Sequence, residues 1–345
     1  MFIKEKTKSK IIFKQKDIRL DIFLKQILFK DNGYYINKKP IGKKGDFITA
    51  PEISQMFGEI IGIYFYYIWK KKINSKFNFI ELGPGNGTLY NDIMKSLMKF
   101  RDFISNADVT FIEINKELIK LQKKKIKNQF LINANWQSAI NYKSKYPSII
   151  YSNEFFDCFP VRQFLFKDVW FEKYVSYDNY EKKFFFKNKQ VKNQKLLSNL
   201  KKYKKEKIAE ISHQRSEYFE KICKFIKKNG GIFFTIDYGY FEKNTNFTLQ
   251  AIHNHNYSHV LENLGKADIT SHVDFEELIK IAKSNKLEID EATSQRDFLI
   301  KYGILERAKV LSKLDDPQLI NNDLERLINK KQMGNLFKCL IVSNI

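Results

Sequence analysis

The chain has 345 residues, a hydrophobic fraction of 43% and a formal net charge of +22. A chain of this length can hold one large domain with an accessory region, or two small domains. No apolar run is long enough to cross a bilayer, so we expect no membrane span. Residues 1–16 lack the apolar segment of a secretory signal and the arginines of a transit peptide. We predict a cytoplasmic protein, or a mitochondrial-matrix protein if the source is eukaryotic.

The positive charge favours nucleic acid or an anionic membrane as a partner. Only seven of the 61 basic residues are arginine, however, and the chain is also rich in Ile, Asn, Phe and Tyr. An AT-rich coding sequence produces this composition, so we interpret most of the charge as codon bias and regard a nucleic-acid partner as the minor alternative. Cys158, Cys223 and Cys339 are far apart and odd in number, which predicts free thiols without a disulfide framework or a zinc site.

The first predicted elements are helical. A helix followed by an aromatic turn is expected between Ile18 and Lys44. Thr49 and Glu52 then have the spacing of a capping box at the start of another helix. Apolar residues at helical spacing from Phe57 to Phe65 predict a longer helix after it.

The segment from Phe79 to Leu89 has the pattern of a buried strand that leads into a glycine turn and a helix. Gly83, Gly85 and Gly87 allow a sharp turn and a close approach of the backbone to a ligand. Glu81 ends the strand, where ligands bind in open α/β sheets. Its carboxylate suits a cofactor with a cationic amino group and ribose hydroxyls, and the spacing is GxGxG instead of the GxGxxG of dinucleotide sites. The pattern favours S-adenosylmethionine over NAD, although such a turn also occurs without a ligand.

A second apolar strand, Asp108 to Ile114, carries an acid near its end. Glu113 lies roughly 25 residues after the glycine turn, near the spacing at which an acidic residue binds ribose hydroxyls in Rossmann-type folds. Together the two strands, the turn and the helix predict a nucleoside-binding unit. From Phe79 to about Phe156, strands and helices alternate, which is typical of a parallel, doubly wound α/β sheet.

The segment from Ser148 to Gln163 carries candidate acceptor-binding residues. A strand delivers Asn153, Glu154 and Asp157 to its carboxyl end, beside the glycine turn if the two strands are neighbours. Polar groups there suit an amine, and two nearby carboxylates suit a guanidinium, whose five donors form a rigid fork. The alternative is structural: the two carboxylates cap a turn, and Arg162 pairs with one of them.

The regular alternation breaks in the second half of the chain. Val169–Tyr177 and Lys183–Lys187 predict an antiparallel hairpin, and the main sheet resumes at Gly231–Gly239. A helix is expected from Asp274 to about Asn285, and a final strand from Leu336 to Val342. The interruptions therefore look like insertions into one domain.

We divide the chain on this basis. Residues 1–78 are predicted to form an N-terminal helical lid region, and residues 79–345 the catalytic domain. The insertions are expected at about 165–207 and 241–272.

Seven motifs follow one another between residues 30 and 342: GDFITAPEISQMFGE, ELGPGNGTL, SNEFFDCFPVRQF, IDYGY, TLQAIHNH, DITSHVDF and MGNLFKCLIV. Together they resemble the MidA family of S-adenosylmethionine-dependent methyltransferases. That family includes a mitochondrial complex I assembly factor that methylates an arginine in a core subunit of the complex. The resemblance implies a class I methyltransferase fold, Rossmann-like and doubly wound, with a mostly parallel seven-stranded sheet. It also implies S-adenosyl-L-methionine as cofactor and protein arginine N-methylation, with a respiratory complex I subunit as a candidate substrate.

The resemblance also implies roles for individual residues. Those expected at the cofactor are Glu81, Gly83, Gly85 and Gly87 at its methionine end, Glu113 at the ribose, and Asp46, Thr49 and Glu52 in a segment that folds over it. Those expected at the acceptor are Asn153, Glu154 and Asp157, with Asp268, His272 and Asp274 lining the acceptor side. For the last three, a helix entry with Asp274 as its N-cap is an equal alternative.

Some positions depart from the family pattern. Asn86 stands where the pattern has arginine, and Leu264 where it has proline. His253, His255 and His259 suggest a metal cluster at first sight, but only His255 matches the family. Because no cysteine or carboxylate stands at ligand spacing, we predict no metal site.

Methyl transfer to nitrogen requires alignment of the acceptor and exclusion of water. A carboxylate can localise the charge of a guanidinium on one nitrogen, and Glu154 is the first candidate for that role, ahead of Asp157. Two other functions stay open. One is methylation of RNA or a small amine, and the other is a non-catalytic assembly factor that binds the cofactor. The sequence leaves the oligomeric state undecided.

Overall fold

The computed structural model describes residues 17–30, 33–37, 49–130, 133–141, 143–243 and 245–345, without the side chains of 127–130. The predicted lid residue Asp46 and part of the first predicted helix lie outside these ranges. No helix within them is long and apolar enough to cross a membrane.

The main sheet has seven strands along its path. They are β1 Phe77–Leu82, β2 Ala107–Ile112, β3 Ala134–Gln137, β4 Ser148–Asn153, β5 Gly231–Tyr240, β6 Glu288–Ser294 and β7 Phe337–Asn344. Their spatial order is β3-β2-β1-β4-β5-β7-β6, and a short strand, Val273–Asp274, pairs with the end of β5. On this path β7 runs in the opposite direction to the other six strands, so its pairs with β5 and β6 are antiparallel. This arrangement confirms the predicted mostly parallel, doubly wound sheet.

Helices cover both faces of the main sheet. Gln55–Ile68, Thr88–Leu97 and the C-terminal helices pack on one face, and His213–Asn229 with Phe275–Ser284 on the other. The central strands β1 and β4 are almost completely buried, as expected for parallel strands covered on both sides. Their carboxyl ends are therefore the part of the sheet that remains open to a ligand.

The helix predicted around Phe57 to Phe65 is present as Gln55–Ile68 and belongs to the core. The ring of Phe65 lies 5.1 Å from that of Tyr151 and 5.8 Å from that of Phe79. The predicted capping box is wrong, because the Thr49 side chain makes no cap hydrogen bond at the preceding helix, Ala50–Ile53. Instead Ser54 caps Gln55–Ile68, and its hydroxyl accepts from the amide of Met56.

The first insertion belongs to a second, five-stranded sheet. Its strands are Asp17–Arg19, Arg162–Phe166, Trp170–Asp178, Lys183–Gln190 and Ile208–Ile211. The predicted hairpin is present, since the third and fourth of these strands pair antiparallel. The first predicted helix begins only at Leu20, because residues 17–19 pair as a strand with the hairpin. The N-terminal segment is thus built into the inserted sheet.

Shorter elements complete the described residues. A three-stranded sheet consists of Gln250–His253, Asn256–Ser258 and Asp268–Thr270. The remaining helices are Leu20–Phe29, Tyr34–Asn37, Trp69–Ile73, Arg101–Asn106, Lys116–Phe130, Gln194–Leu200, Lys201–Tyr203, Gln295–Lys301, Ile304–Leu311, Pro317–Ile328 and Met333–Leu336. The predicted helix after Asp274 and the predicted final strand are both present, with a helical segment between β6 and β7 that was not predicted.

Candidate active site at the carboxyl ends of β1, β2, β4 and β5

The glycine turn after β1 depends on left-handed backbone conformations. The φ angle is 61° at Gly83, 53° at Gly85 and 71° at Gly87, a region that L side chains rarely adopt. Gly83 donates its amide hydrogen to the carbonyl of Ile112 in β2 at 3.0 Å, and Gly87 begins the helix Thr88–Leu97. The turn thus directs the first amides of a ten-residue helix toward the open end of the sheet.

Glu81 is almost completely buried at the end of β1, with 3% of its surface exposed. The hydroxyl of Tyr151 donates to its Oε2 at 3.2 Å. Burial raises the pKa of Glu81 to about 8, although the Tyr151 hydroxyl and the Lys125 ammonium lower it. A cationic group bound next to this carboxylate would favour its charged form.

Glu113 and the glycine turn are joined by a glutamine that sequence reasoning missed. Glu113 Oε1 accepts from the amides of Ile114 and Asn115, both at 2.8 Å. Gln122 Nε2 donates to Glu113 Oε2 at 3.3 Å and to the carbonyl of Gly85 at 2.7 Å. Burial raises the pKa of Glu113. Gln122 lies on the helix Lys116–Phe130, which follows β2. Its place in the helical pattern is that of any buried residue, so the sequence does not mark it as functional.

The segment that begins at Thr49 is linked to the glycine turn. Glu52 accepts a hydrogen bond from Thr88 Oγ1 at 2.6 Å and another from Asn86 Nδ2 at 3.4 Å. Lys125 Nζ donates to Thr88 Oγ1 at 2.9 Å. Asn86, which replaces the arginine of the family pattern, therefore takes part in a network in which Lys125 supplies the cation.

The acceptor loop, residues 153–157, lies beside the glycine turn. Strand β4 pairs directly with β1, with Ser152 opposite Leu82. The Phe155 ring approaches so closely that a Cβ atom on Gly83 would lie 2.9 Å from Phe155 Cδ2. The two predicted halves of the site are therefore in contact.

Glu154 stands in this loop with a left-handed φ of 50°. Asn153 Nδ2 donates to Glu154 Oε1 at 2.9 Å, and the amide of Ala50 also donates to the carboxylate. Burial, together with the nearby Asp157 carboxylate, raises the pKa of Glu154 to about 8. Asn153 Oδ1 is buried and has no hydrogen-bond partner among the described residues, so a donor on a ligand would satisfy it.

Two tyrosine hydroxyls donate to Asp157, the last residue of the loop, and to Asp268 near it. Tyr238 donates to Asp157 Oδ2 at 2.5 Å, and Tyr35 donates to Asp268 Oδ1. Burial raises the pKa of Asp157, and the Tyr238 hydroxyl opposes that shift. The carbonyl of Tyr35 accepts from Asn115 Nδ2 at 3.1 Å. Tyr35 thus connects the acceptor side with the residues that surround Glu113.

Asp237 and Arg215 hold the acceptor loop and were not among the predicted site residues. Asp237 is fully buried and accepts hydrogen bonds from the loop amides. Arg215 Nε donates to the carbonyl of Phe156 at 2.8 Å, and its other nitrogens bind Ser271 Oγ and the carbonyl of His272. The sequence feature that could have identified Asp237 is the occurrence of a single acid within a mostly apolar strand.

The other predicted acceptor-side residues have defined surroundings. The His272 ring packs edge-on against Tyr238, with 5.5 Å between ring centroids, and burial lowers the pKa of His272. Asp274 Oδ1 accepts from the amide of Glu277 at 3.0 Å and caps the helix Phe275–Ser284. The helix-entry alternative is therefore present for Asp274, and a role at the acceptor stays a prediction.

Arg162 pairs with neither acid of the acceptor loop. Its guanidinium binds Glu172 through two hydrogen bonds, of 2.7 and 2.9 Å, so that part of the structural alternative is wrong. Of the three histidines, His255 lies in a turn with a φ of 63°, and His259 packs near the Phe186 ring. Within the described part of the chain, no group of three or more His, Cys, Asp or Glu side chains could hold a metal ion.

The residues at the ends of β1 and β2 fit S-adenosylmethionine. Gly83, Gly85 and Gly87 have no side chains, so a ligand can approach the backbone at these three positions. Glu81 suits a cationic amino group, and Glu113 has a carboxylate oxygen that suits hydroxyl donors. Strand order, turn and paired acids together define a class I methyltransferase architecture.

Comparisons with known proteins agree with this architecture. Residues 60–293 match a family described as "Putative S-adenosyl-L-methionine-dependent methyltransferase". "Protein arginine methyltransferase NDUFAF7, mitochondrial" from Danio rerio is 30% identical over 90% of this chain and 80% of its own length. The Homo sapiens protein of that name is 28% identical over 91% of this chain and 77% of its own length. The chain therefore belongs to this methyltransferase family, and its cofactor is S-adenosyl-L-methionine.

Solved structures confirm the fold. A "likely methyl transferase" from Burkholderia thailandensis, bound to S-adenosyl-homocysteine, superposes with a TM-score of 0.83. It is 21% identical, and the match covers 95% of this chain and 88% of the other. A native structure of an uncharacterized protein from the same organism gives a TM-score of 0.82 at 22% identity, with the same coverage.

Proposed function

We propose that this protein is a protein arginine N-methyltransferase in which Glu154 binds the acceptor guanidinium. The observation that carries the proposal is a group of three acids around the acceptor loop, of which Asp157 and Asp268 are buried and Glu154 is partly buried. Glu154, Asp157 and Asp268 lie near one another, and repulsion from the two aspartates adds to the effect of burial in raising the pKa of Glu154. A guanidinium would relieve that repulsion and supply donors in a fork that suits carboxylates. The curated relatives named as protein arginine methyltransferases support the same acceptor.

At the cofactor end, the proposal gives the glycine turn and two acids the binding roles. Gly83, Gly85 and Gly87 would face the methionine portion, Glu81 its amino group, and Glu113 the ribose hydroxyls. When bound, S-adenosylmethionine supplies an electrophilic methyl group on a sulfonium. Thr49 lies in the segment that Glu52 links to the glycine turn, so it would cover the cofactor.

At the acceptor end, the charge of Glu154 determines how the guanidinium is held. The carboxylate would draw the positive charge toward the nitrogens that it binds and leave another nitrogen more nucleophilic. Asn153 Oδ1, buried and without a hydrogen-bond partner in the described part of the chain, would accept from the same group. The acceptor nitrogen loses a proton as it gains the methyl group, so a strong base is not required. Exclusion of water by Phe155 and the segment at Ala50 would complete the site.

Incubation with methyl-labelled S-adenosylmethionine tests this proposal. The acceptor source is a lysate from cells that lack the gene, and the label is located by digestion and amino-acid analysis. We expect label on arginine of a protein band. Label on RNA or on a small amine would replace the proposed acceptor. Cofactor binding without any transfer would instead indicate the non-catalytic assembly factor.

We further propose a client and a location. The family resemblance suggests a subunit of a respiratory complex as substrate, and the curated relatives are mitochondrial by name. The expected location is the mitochondrial matrix if the source is eukaryotic, and the cytoplasm otherwise. Identification of the labelled protein band tests the client directly.

A further inference from the structure

We infer that Asp237 is a positioning residue, which fixes the conformation of the acceptor loop so that Glu154 and Asp157 present their carboxylates at the acceptor. This inference rests on the proposed function for its meaning, but its structural part can be tested separately. Asp237 lies near the end of β5, the strand next to β4, and none of its surface is exposed.

The hydrogen bonds of Asp237 converge on three consecutive loop residues. Its Oδ2 accepts from the amides of Phe155, Phe156 and Asp157 at 3.1, 2.8 and 3.2 Å. Its Oδ1 accepts from the amide of Tyr238 at 2.9 Å. Three successive amides that point at one oxygen form a concave anion-binding arrangement, which here is filled from inside the protein.

The loop needs such support because its backbone is strained. Glu154 is a long side chain in a left-handed conformation, with φ of 50°, and such residues persist only where surrounding contacts determine them. The amide of Glu154 is held separately by the carbonyl of Ile236 at 2.9 Å. Four consecutive amides, from residue 154 to residue 157, are therefore bound by two adjacent residues of β5.

Arg215 completes the support from the opposite direction. Its Nε donates to the carbonyl of Phe156, the same residue whose amide binds Asp237. The backbone amide and the backbone carbonyl of Phe156 are thus both bound, one by Asp237 and the other by Arg215. Neither Asp237 nor Arg215 needs to touch the acceptor for this effect, so their contribution is positional.

Three variants separate positioning from general stability. Asp237→Ala removes every acceptor oxygen, whereas Asp237→Asn keeps one oxygen for the three loop amides but replaces the oxygen that accepts from Tyr238 and removes the ionisable carboxyl. Thr235→Val is the matched control, because Thr235 is equally buried on the same strand and its hydroxyl lies 2.8 Å from Ser152 Oγ. It removes one polar contact between β4 and β5 without affecting the loop amides.

We expect Asp237→Ala to lower kcat/KM for the acceptor about 100-fold, the size of effect that a misplaced reacting group produces. Its affinity for S-adenosylmethionine should stay within about twofold of wild type, since the cofactor residues lie on other strands. Asp237→Asn should recover most of the activity, and Thr235→Val should keep it. Three results would each overturn the inference. They are equal losses of kcat/KM in Asp237→Asn and Asp237→Ala, a parallel loss of cofactor affinity in Asp237→Ala, and wild-type activity in Asp237→Ala.

Amide hydrogen exchange tests the structural part without any acceptor. In Asp237→Ala, exchange at residues 155–157 should accelerate by about tenfold or more, the loss expected when hydrogen bonds worth above 1.4 kcal/mol are removed. Exchange in β5 itself should change little. Unchanged protection at these three amides would overturn the inference even if arginine methylation is confirmed. Faster exchange in a protein that methylates no arginine would refute the proposed function alone.

Discussion

The cofactor half and the acceptor half of the site are held in different ways. Around the glycine turn, Gln122 binds Gly85 and Glu113, which lie 37 and 9 positions away along the chain. Around the acceptor loop, the supports come from distant segments, with Asp237, Arg215 and Tyr35 all far from residue 154 along the chain. The Gln122 contacts lie within one strand–helix–strand–helix segment, whereas the acceptor loop is fixed by residues 59 and 81 positions away from Phe156.

The largest expected effect falls on the acceptor half alone. Glu154→Gln keeps the shape of the side chain and removes its charge, so we expect turnover to fall by about 100-fold or more, as for loss of an electrostatic contact in an active site. Cofactor affinity should be retained. Asp290→Asn is the control, because it makes the same change of charge at an exposed carboxylate on β6, which accepts from Ser343 Oγ at 3.0 Å. Weak cofactor binding with unchanged turnover per bound complex would refute the assignment of Glu154.

Two glycine variants test whether the cofactor half and the acceptor half are coupled through Phe155. Gly83→Ala and Gly87→Ala both place alanine at a positive φ, at a cost of about 1–2 kcal/mol. Only the Cβ at position 83 would approach Phe155, at 2.9 Å, whereas the nearest atom at position 87 is Gln122 Cγ at 3.6 Å. We expect Gly83→Ala to reduce the acceptor kcat/KM about tenfold more than Gly87→Ala. Equal effects would mean that the halves are not coupled through Phe155.

The pH dependence of the free energy of unfolding compares Glu81 in the cofactor half with Glu154 in the acceptor half. Burial raises the pKa of Glu81 and of Glu154 from 4.5 to about 8, so the folded protein holds protons that the unfolded chain releases. The free energy of unfolding in the absence of cofactor should therefore fall as the pH rises from 4.5 to 8. Each group contributes up to about 1.4 kcal/mol per pH unit.

Urea unfolding between pH 5.5 and 7.5 measures this slope. Glu81→Gln and Glu154→Gln should each flatten it, and saturating cofactor should reduce the contribution of Glu81 only. A slope unchanged in both variants would show that these acids are ionised throughout the range.

The smallest expected effect concerns Asp274. Because its carboxylate caps the helix Phe275–Ser284, Asp274→Ala should reduce the free energy of unfolding by about 1 kcal/mol and leave kcat/KM unchanged. Chemical denaturation and a standard methylation assay check the two parts. A tenfold loss of activity would instead place Asp274 at the acceptor.

Local patterns explain what the sequence could predict. The glycine turn, the acid-tipped strands β1 and β2 and the hairpin were all visible, because their residues lie within short windows with clear periodicity. The capping box failed because Thr49 and Glu52 have the right spacing, but Glu52 bonds to Thr88, a residue 36 positions away. Spacing alone could not exclude a tertiary partner for Glu52.

Non-local contacts explain what was missed. Arg215 has the appearance of an ordinary basic residue on a helix, and only the fold places its guanidinium against Phe156 and Ser271. Tyr35 lies in the aromatic turn expected after the first helix, and no sequence pattern indicates that its hydroxyl binds Asp268. The residue types that support the acceptor loop are common, so their role follows from three-dimensional position.

The most direct test of the account is the pH profile of kcat/KM for the arginine acceptor at saturating cofactor. Under the proposed roles, bound cofactor keeps Glu81 paired, and Glu154 is the acid that must ionise before the guanidinium binds. With its pKa raised to about 8, kcat/KM should rise with pH and level off above about 8. A profile that is flat from pH 6.5 to 9 would contradict the assignment of Glu154 as the residue that binds the acceptor.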